Sequence, residues 1–286
     1  MKATTRFRQL LNSQETLIAP GIFDGLSARL VEQAQFKVIY ASGGAIARGA
    51  GYPDLGLLSV TEVCESLARI VDVTQIPVIA DADTGFGNAL NVQRTMRMFE
   101  RTGVAALHLE DQTFPKRCGH LNDKSIISLK EMAHKIKVAR DSFIDPDFAL
   151  IARTDAIAVE GFERAIERAE AYLQAGADII FVEAPETVEQ IEQIAKRIPQ
   201  PKLINMFYGG KTPLVPTATL HKLGYNIVII PSDLQRAAIY AMNKALACIT
   251  KNGDSADMAA ELVSFKDREV IIGTEAYLQL DKGFKE

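Results

Sequence analysis

Short runs of apolar, often β-branched residues recur along the chain, and stretches with helical periodicity separate most of them. Such runs are typical of strands that are buried on both faces of a sheet. The clearest helical stretch spans 162–175 and ends at Gly176. The predicted strands occupy residues 16–19, 37–41, 77–80, 104–109, 148–152, 178–182, 202–206 and 226–230.

Strands that alternate with helices pair in parallel, because a parallel connection needs a crossover of about a dozen residues or more. Eight such units can form either an open doubly wound sheet or a closed barrel. No linker rich in Pro, Gly or Ser divides residues 1–250. We therefore predict a single α/β domain over 1–250 with the architecture of a (β/α)8 TIM-type barrel.

Two segments do not fit the repeating unit. Residues 113–127 have neither helical nor strand periodicity, and a long irregular loop inside a compact domain is usually functional. We interpret this segment as a lid loop. Residues 251–286 show a helical pattern through Met258, Leu262 and Phe265, which predicts a C-terminal helical extension packed on the barrel or on another subunit.

The composition excludes several classes of protein. The chain has 286 residues, 48% of them hydrophobic, and its 32 Lys and Arg against 36 Asp and Glu give a formal charge of −4. These values exclude a disordered chain and a disulfide-rich miniprotein. Because the sequence has no basic stripe, membrane-length apolar run or signal-peptide core, we expect no nucleic-acid or membrane partner and a cytoplasmic location.

Polar residues follow nearly every predicted strand. In a (β/α)8 barrel the carboxyl ends of all the strands face one mouth, where active sites are built. The sequence therefore predicts a shared site at this mouth. The polar residues and glycines at these positions are Tyr40, Ser42, Gly43, Gly44, Asp81, Asp83, His108, Glu110, Asp111, Arg153, Asp155, Glu183, Asn205 and Ser232.

Four of these side chains indicate a metal site. Asp81 and Asp83 are two residues apart at a strand end, so they point to the same face. His108 and Glu110 have the same spacing on the next strand. Converging carboxylates without thiols suit a hard cation such as Mg²⁺. A zinc site that adds ligands from the loop at 118–120 is an alternative, but its spacing matches no standard zinc pattern.

Cys118 lies in the run PKRCGH, residues 115–120. Cations and a histidine beside a thiol lower its pKa and let it transfer a proton near neutral pH. Gly119 gives the loop freedom to close over a ligand. Arg153 can hold a carboxylate bidentately, and the backbone amides at 42–44 can bind a second anionic group. The chain has no nucleotide-binding glycine motif.

Several short motifs follow one another between residues 40 and 213. They are YASGG (40–44), PDLG (53–56), DADTGFGN (81–88), HLEDQ (108–112), PKRCGH (115–120), ARTDA (152–156), FVEA (181–184) and NMxxGGKTP (205–213). In this set and order, the chain resembles the isocitrate lyase and phosphoenolpyruvate mutase superfamily. The resemblance implies a (β/α)8 barrel whose eighth helix is swapped between the subunits of a dimer, and a homotetramer that is a dimer of such dimers.

The resemblance also assigns roles to individual residues. Those that it places around Mg²⁺, with Mn²⁺ as a substitute, are Asp54, Asp81, Asp83 and Glu110. Those that it places around the substrate are Ser42, Gly43, Gly44, His108, Gly119, Arg153, Glu183 and Asn205. Cys118 is expected to protonate a carbanion whose charge Arg117 and His120 stabilise, and either Tyr40 or Glu110 is expected to act as the base.

The implied reaction is cleavage of a carbon-carbon bond in a 2-hydroxy or 2-oxo di- or tricarboxylate, which releases a 2-oxo acid. Candidate substrates are 2-methylisocitrate, 2,3-dimethylmalate and oxaloacetate. Phe207 and Tyr208 depart from the residues common in the known subgroups, so the substrate stays open. The alternatives are a carboxyphosphonoenolpyruvate-type phosphonomutase, an oxaloacetate decarboxylase and a non-catalytic barrel, the last of which predicts gaps in the acidic set.

Overall fold

Eight parallel strands close into a barrel in chain order, with β1 paired to β8. The computed structural model describes residues 1–13, 15–119 and 123–283. The strands are β1 Leu17–Ile22, β2 Ile39–Ala41, β3 Val78–Asp81, β4 Ala106–Glu110, β5 Ala149–Thr154, β6 Ile179–Val182, β7 Lys202–Asn205 and β8 Ile227–Ile230. Each predicted run overlaps one strand, with ends shifted by up to three residues. The prediction of a (β/α)8 barrel is therefore confirmed.

Helices surround the barrel and continue beyond it. They are α1 Ala3–Leu11, α2 Gly25–Gln33, α3 Gly43–Gly49, α4 Val60–Asp72, α5 Ala89–Arg101, α6 Leu129–Ser142, α7 Ile157–Glu160, α8 Phe162–Gln174, α9 Val188–Arg197, α10 Thr217–Lys222, α11 Asp233–Asn252, α12 Phe265–Ile272 and α13 Thr274–Gly283. The predicted helix at 162–175 is α8, whose buried face includes Ala165, Ala169 and Tyr172. Within the described ranges, no helix is both long enough and apolar enough to cross a membrane.

The N-terminal helix α1 closes the amino end of the barrel, a feature that the sequence analysis did not predict. Phe7 and Leu11 of α1 are buried together with inward-facing residues of the strands. Arg8 fixes the helix from outside, because its Nη1 donates to Asp178 Oδ1 at 2.9 Å and its Nε donates to the Asp147 carbonyl at 3.0 Å. Among residues 1–13, 15–119 and 123–283, the amino end of the barrel is therefore filled, and the carboxyl ends of the strands are left for a site.

The C-terminal segment differs from its predicted pattern. Met258 ends a short 3-10 turn, Ala256–Met258, and the following helix begins only at Phe265. Ser264 caps that helix by accepting a hydrogen bond from the Asp267 amide at 3.0 Å, so the predicted helical pattern through residues 258–265 is wrong. The expected exchange of the eighth helix involves a second chain and stays a prediction.

Candidate active site

The predicted site residues converge on a cavity of about 300 Å³ at the carboxyl ends of the strands. Predicted residues that line the cavity are Tyr40, Ser42, Gly44, Asp54, Asp81, Cys118, Gly119, Arg153, Glu183 and Asn205. Four further predicted residues each contact a residue of this lining: Gly43, Asp83, His108 and Glu110. His120 falls outside the described residues. The cavity therefore gathers most of the set that the strand ends indicated.

Tyr40, Asp81 and His108 form a buried hydrogen-bonded group on the cavity floor. The Tyr40 hydroxyl lies 2.8 Å from His108 Nε2 and 3.3 Å from Asp81 Oδ2. Burial, and then the charge of Asp81, raises the pKa of Tyr40 well above its usual range. Tyr40 is therefore protonated at neutral pH and can exchange a proton with the imidazole.

Asp81, His108 and Glu110 form the one potential metal-binding cluster found among the described residues. One ligand atom from each side chain lies within 4.8 Å of the other two. Burial alone would raise the pKa of Asp81, but His108, Lys116 and Arg153 lower it well below the usual range. Glu110 Oε1 is buried and accepts no hydrogen bond from any described residue. A buried carboxylate oxygen without a partner fits a hard cation, so these residues suit a divalent metal.

Asp54 and Asp83, which the resemblance also assigned to the metal, are joined by a buried lysine instead. Lys116 Nζ lies 2.8 Å from Asp83 Oδ1 and also contacts Asp54 Oδ1. Although burial lowers the pKa of Lys116, the surrounding carboxylates raise it well above its usual range. The four predicted acidic residues therefore divide into a pair at Lys116 and a pair in the metal-binding cluster. The sequence analysis counted Lys116 only as a cation beside Cys118 and missed this bridge.

Gly43 and Gly44 allow the carboxylates to approach the backbone closely. A Cβ at Gly43 would lie 2.8 Å from Asp81 Oδ2, and one at Gly44 would lie 2.5 Å from Asp54 Oδ2. The Gly43 amide donates to Asp81 Oδ2 at 3.1 Å, and Ser42 Oγ accepts from the Ala45 amide at 3.3 Å. The Gly43 amide, which was predicted to bind a substrate anion, is thus engaged by Asp81, and Ser42 Oγ caps α3.

Arg153 is held on the cavity floor by two carboxylates. Its Nε and Nη2 donate to the two oxygens of Asp155 at 2.9 and 3.1 Å, and its Nη1 lies 3.1 Å from Glu110 Oε2. The guanidinium also stacks over the Phe181 ring, with 5.3 Å between the carbon and the centroid. Despite the effect of burial, Arg153 and Lys124 lower the pKa of Asp155 to about 2. The sequence analysis quoted ARTDA but did not identify Asp155 as the partner of Arg153.

The predicted lid loop is attached to this floor by Lys124. Lys124 Nζ lies 2.8 Å from Asp155 Oδ1 and also donates to the Gly119 carbonyl. Gly119 packs so closely that an added Cβ would lie 2.5 Å from both Arg153 Nη2 and Glu183 Oε1. The lid thus closes the cavity at a position where a side chain would displace the arginine or the glutamate.

The base of the lid is more regular than the sequence indicated. Gln112 pairs with Ile126 in an antiparallel bridge. The Gln112 side chain donates to the Arg117 carbonyl at 2.8 Å and accepts from the Arg117 amide at 2.9 Å. The Arg117 side chain is 49% exposed and lies 3.9 Å from Asp123. Arg117 does not line the cavity, so the structure does not bring it to the predicted reaction centre.

Asp111, a strand-end acid to which the sequence analysis assigned no role, is buried and supports Asp155 from behind. Asp111 Oδ1 accepts from the Asp155 amide at 2.9 Å, and its Oδ2 accepts from Thr154 Oγ1 at 2.7 Å and from Tyr172 at 2.8 Å. Arg168 of α8 adds a contact to Oδ2 at 3.3 Å. Burial raises the pKa of Asp111. The strand end that carries Arg153 is thereby fixed to the outer helix layer.

The comparison with known families matches residues 7–250 to the model for phosphoenolpyruvate phosphomutase. The chain belongs to this family. It is 42% identical to 2,3-dimethylmalate lyase of Eubacterium barkeri, over 99% of both chains. It is 41% identical to 2-methylisocitrate lyase of Aeropyrum pernix, over 96% of this chain and 88% of the relative.

Solved structures agree with this membership of the isocitrate lyase and phosphoenolpyruvate mutase superfamily. The crystal structure of a 2,3-dimethylmalate lyase superposes with a TM-score of 0.93 at 33% identity, covering 99% of this chain and 95% of that one. A phosphonopyruvate hydrolase solved with oxalate and Mg²⁺ superposes with a TM-score of 0.91 at 31% identity, covering 100% of both chains. The superfamily prediction is confirmed.

The attachment of the lid through Lys124 leads to a testable prediction. Replacing Lys124→Met removes a buried charge partner of Asp155 and should favour the open lid by about tenfold, the effect of losing one charged hydrogen bond. Tryptic cleavage after Arg117, whose side chain is 49% exposed, should accelerate accordingly and is followed by the masses of the fragments. The exposed Lys130→Met provides a matched control. An unchanged cleavage rate in Lys124→Met would show that the lysine does not hold the lid.

Proposed function

We propose that this protein is a Mg²⁺-dependent lyase that cleaves a carbon-carbon bond in a 2-hydroxy dicarboxylate or tricarboxylate and releases a 2-oxo acid. The observation that carries the proposal is the cavity that unites the Asp81–His108–Glu110 cluster with Arg153 and the lid cysteine Cys118. The full-length similarity to relatives named 2,3-dimethylmalate lyase and 2-methylisocitrate lyase supports it.

Asp81 and Glu110 would hold the cation. A further ligand would come either from His108 or from the nearby carboxylates of Asp54 and Asp83. When bound, Mg²⁺, or Mn²⁺ as a substitute, would polarise the substrate's hydroxyl and adjacent carboxylate and lower the pKa of that hydroxyl. Without the cation, the negative charge of the same cluster disfavours binding of a carboxylate substrate, because like charges repel at short range.

The chain's own residues account for orientation and proton transfer. Arg153 binds the oxo-acid half once its guanidinium turns partly away from Glu110, while Asp155 keeps it in place. The two candidates for the base that takes the hydroxyl proton are Glu110 and Tyr40. Tyr40 is protonated at neutral pH, so it can act as a base only by passing its own proton to His108 Nε2, 2.8 Å away. After the bond breaks, the Cys118 thiol protonates the carbanion. Arg117 is omitted from this step because of its surface position, and the role of His120 stays a prediction.

The cavity wall favours a methyl-bearing substrate. Phe207 lines the cavity, whereas Tyr208 is 73% exposed and does not line it. An aromatic wall stabilises an alkyl substituent and leaves an extra polar group there without a partner, which costs about 1–3 kcal/mol. We therefore favour 2,3-dimethylmalate, which adds methyl groups without a third carboxylate, over 2-methylisocitrate and oxaloacetate as the substrate.

The function is tested by product analysis. The purified protein is incubated with Mg²⁺ and 2-methylisocitrate, 2,3-dimethylmalate or oxaloacetate, and 2-oxo acid is followed by a coupled assay. We expect cleavage of a methyl-bearing substrate that EDTA abolishes and added Mg²⁺ restores. Release of carbon dioxide from oxaloacetate would indicate a decarboxylase instead. Silence with all three compounds, together with a shifted phosphorus-31 resonance from a phosphonate substrate, would indicate a mutase.

The role of Cys118 is tested by Cys118→Ser. A serine hydroxyl is a far weaker acid than a thiol, so we expect turnover to fall by at least about 100-fold. Binding of Mg²⁺ and oxalate, measured by calorimetry, should stay within about twofold. Cys64→Ser on α4 controls for the loss of a thiol away from the cavity. Full activity of Cys118→Ser would remove the cysteine from the proposed mechanism.

We further propose that the protein forms a dimer of helix-swapped dimers. The helix α11 leaves the apolar residues Met242, Leu246 and Ile249, which lie on one face at four- and three-residue spacing, exposed at 56%, 60% and 45%. An apolar stripe of this kind is typical of a surface that another subunit covers. Light scattering after gel filtration should give four times the monomer mass. Leu246→Glu should lower that mass, whereas the exposed Lys251→Glu should not; a monomeric wild-type protein would contradict the proposal.

A further inference from the structure

A second arginine lines the cavity, and neither the sequence analysis nor the proposed reaction uses it. Arg48 lies in the last turn of α3, five residues after the Gly43 end of the cavity wall. Arg153 is buried at the floor and occupied by Asp155 and Glu110, whereas Arg48 is exposed on the solvent side. The cavity therefore has one guanidinium at its floor, from Arg153, and a second nearer the solvent, from Arg48.

The orientation of Arg48 is fixed by a buried glutamine. Arg48 Nε donates to Gln235 Oε1 at 2.9 Å, and Gln235 Nε2 donates to the Ala45 carbonyl at 2.8 Å. Gln235 is 6% exposed, so both ends of its amide are committed. The hydrogen bond at Nε leaves the two terminal nitrogens of Arg48 for another partner. Two parallel bonds from an arginine are the geometry that binds a carboxylate.

The charge of Arg48 is not neutralised by a side chain of the described part of the protein. No described Asp or Glu lies within ion-pair distance of its guanidinium. Asp54 is near, since a Cβ at Gly44 would lie 2.5 Å from Asp54 Oδ2 and 3.3 Å from Arg48 Nη1, but Lys116 already contacts Asp54. The other cavity-lining arginine at this depth, Arg236, donates to the Tyr208 carbonyl at 2.7 Å.

We propose that Arg48 binds a second carboxylate of the substrate, on the half that is remote from the metal-binding cluster, and that Gln235 is the positioning residue for this contact. The inference rests on the proposed function and narrows its substrate class. It requires a 2-hydroxy acid whose far end carries a carboxylate, and it disfavours monocarboxylates such as lactate. Arg153 and Arg48 then recognise the two ends of one molecule.

Ligand binding tests this subsite without requiring turnover. Calorimetry in the presence of Mg²⁺ compares malate, which has both ends, with lactate and oxalate, which reach only the inner half. The wild-type protein should bind malate about 10- to 100-fold more tightly than lactate, as expected for one charge-assisted contact. Arg48→Met should abolish this preference and leave oxalate binding within about twofold. Arg101→Met, an exposed arginine in the last turn of α5, is the matched control.

Steady-state kinetics with whichever dicarboxylate or tricarboxylate the wild-type protein cleaves provides the second test. Arg48→Met should raise KM by about 10- to 100-fold with kcat changed by less than about threefold, since the contact forms before the chemical step. Arg48→Lys should retain part of the affinity because it keeps the charge and loses the paired geometry. Gln235→Met should raise KM in the same direction by a smaller factor, with unchanged oxalate binding.

The outcomes separate the two proposals. If no substrate is cleaved but Arg48 still determines the preference for malate, the proposed reaction fails and the carboxylate subsite stands. If cleavage occurs and Arg48→Met changes neither KM nor malate binding, the subsite is wrong and the lyase proposal survives. A variant that loses oxalate binding as well would also overturn the subsite, because the change would then extend to the whole cavity.

Discussion

The arrangement of the barrel mouth depends on the buried ion pair between Arg153 and Asp155. Both side chains are withdrawn from water, and a buried charge that loses its partner costs several kcal/mol, about 3–5 in typical cases. The Asp155 carboxylate also accepts a hydrogen bond from Lys124 of the lid, and the Asp155 backbone amide donates one to Asp111. One carboxylate therefore links the cavity floor, the lid and the outer helices, so a shift in any of them alters the position of Arg153.

Much of the fold could be predicted from the sequence, because a strand or helix that is buried has apolar residues at a characteristic spacing. A strand such as β8 needs an unbroken apolar run, and the helix α8 needs apolar residues three and four apart. Both patterns are visible in short windows of sequence. The helix α1 was missed, because its two core residues are buried only by packing against the amino end of the closed barrel.

The site was predictable in its membership but not in its pairing. Strand ends marked Asp81, Glu110 and Arg153 because the topology brings all strand ends together. The ion-pair partners of the strand-end carboxylates could not be predicted, because Lys116 and Lys124 lie in a loop whose sequence shows no periodicity. Groups predicted to meet a ligand, such as the Gly43 amide, bind the protein's own carboxylates, so a ligand has to exchange contacts and does not simply add them.

The closure of the barrel by α1 has a consequence for the order in which molecules leave. Phe7 and Leu11 fill the amino end, so in the described part of the chain a ligand enters and leaves at the carboxyl ends of the strands, on the side of the lid. A fragment bound at the floor cannot pass one that is still bound above it. Under the proposed cleavage, the product nearer the opening is then expected to depart first, and the product held at the depth of Arg153 is expected to depart last. The contacts of Arg153 at the cavity floor are then restored only after the second product has left, however fast the chemical step is.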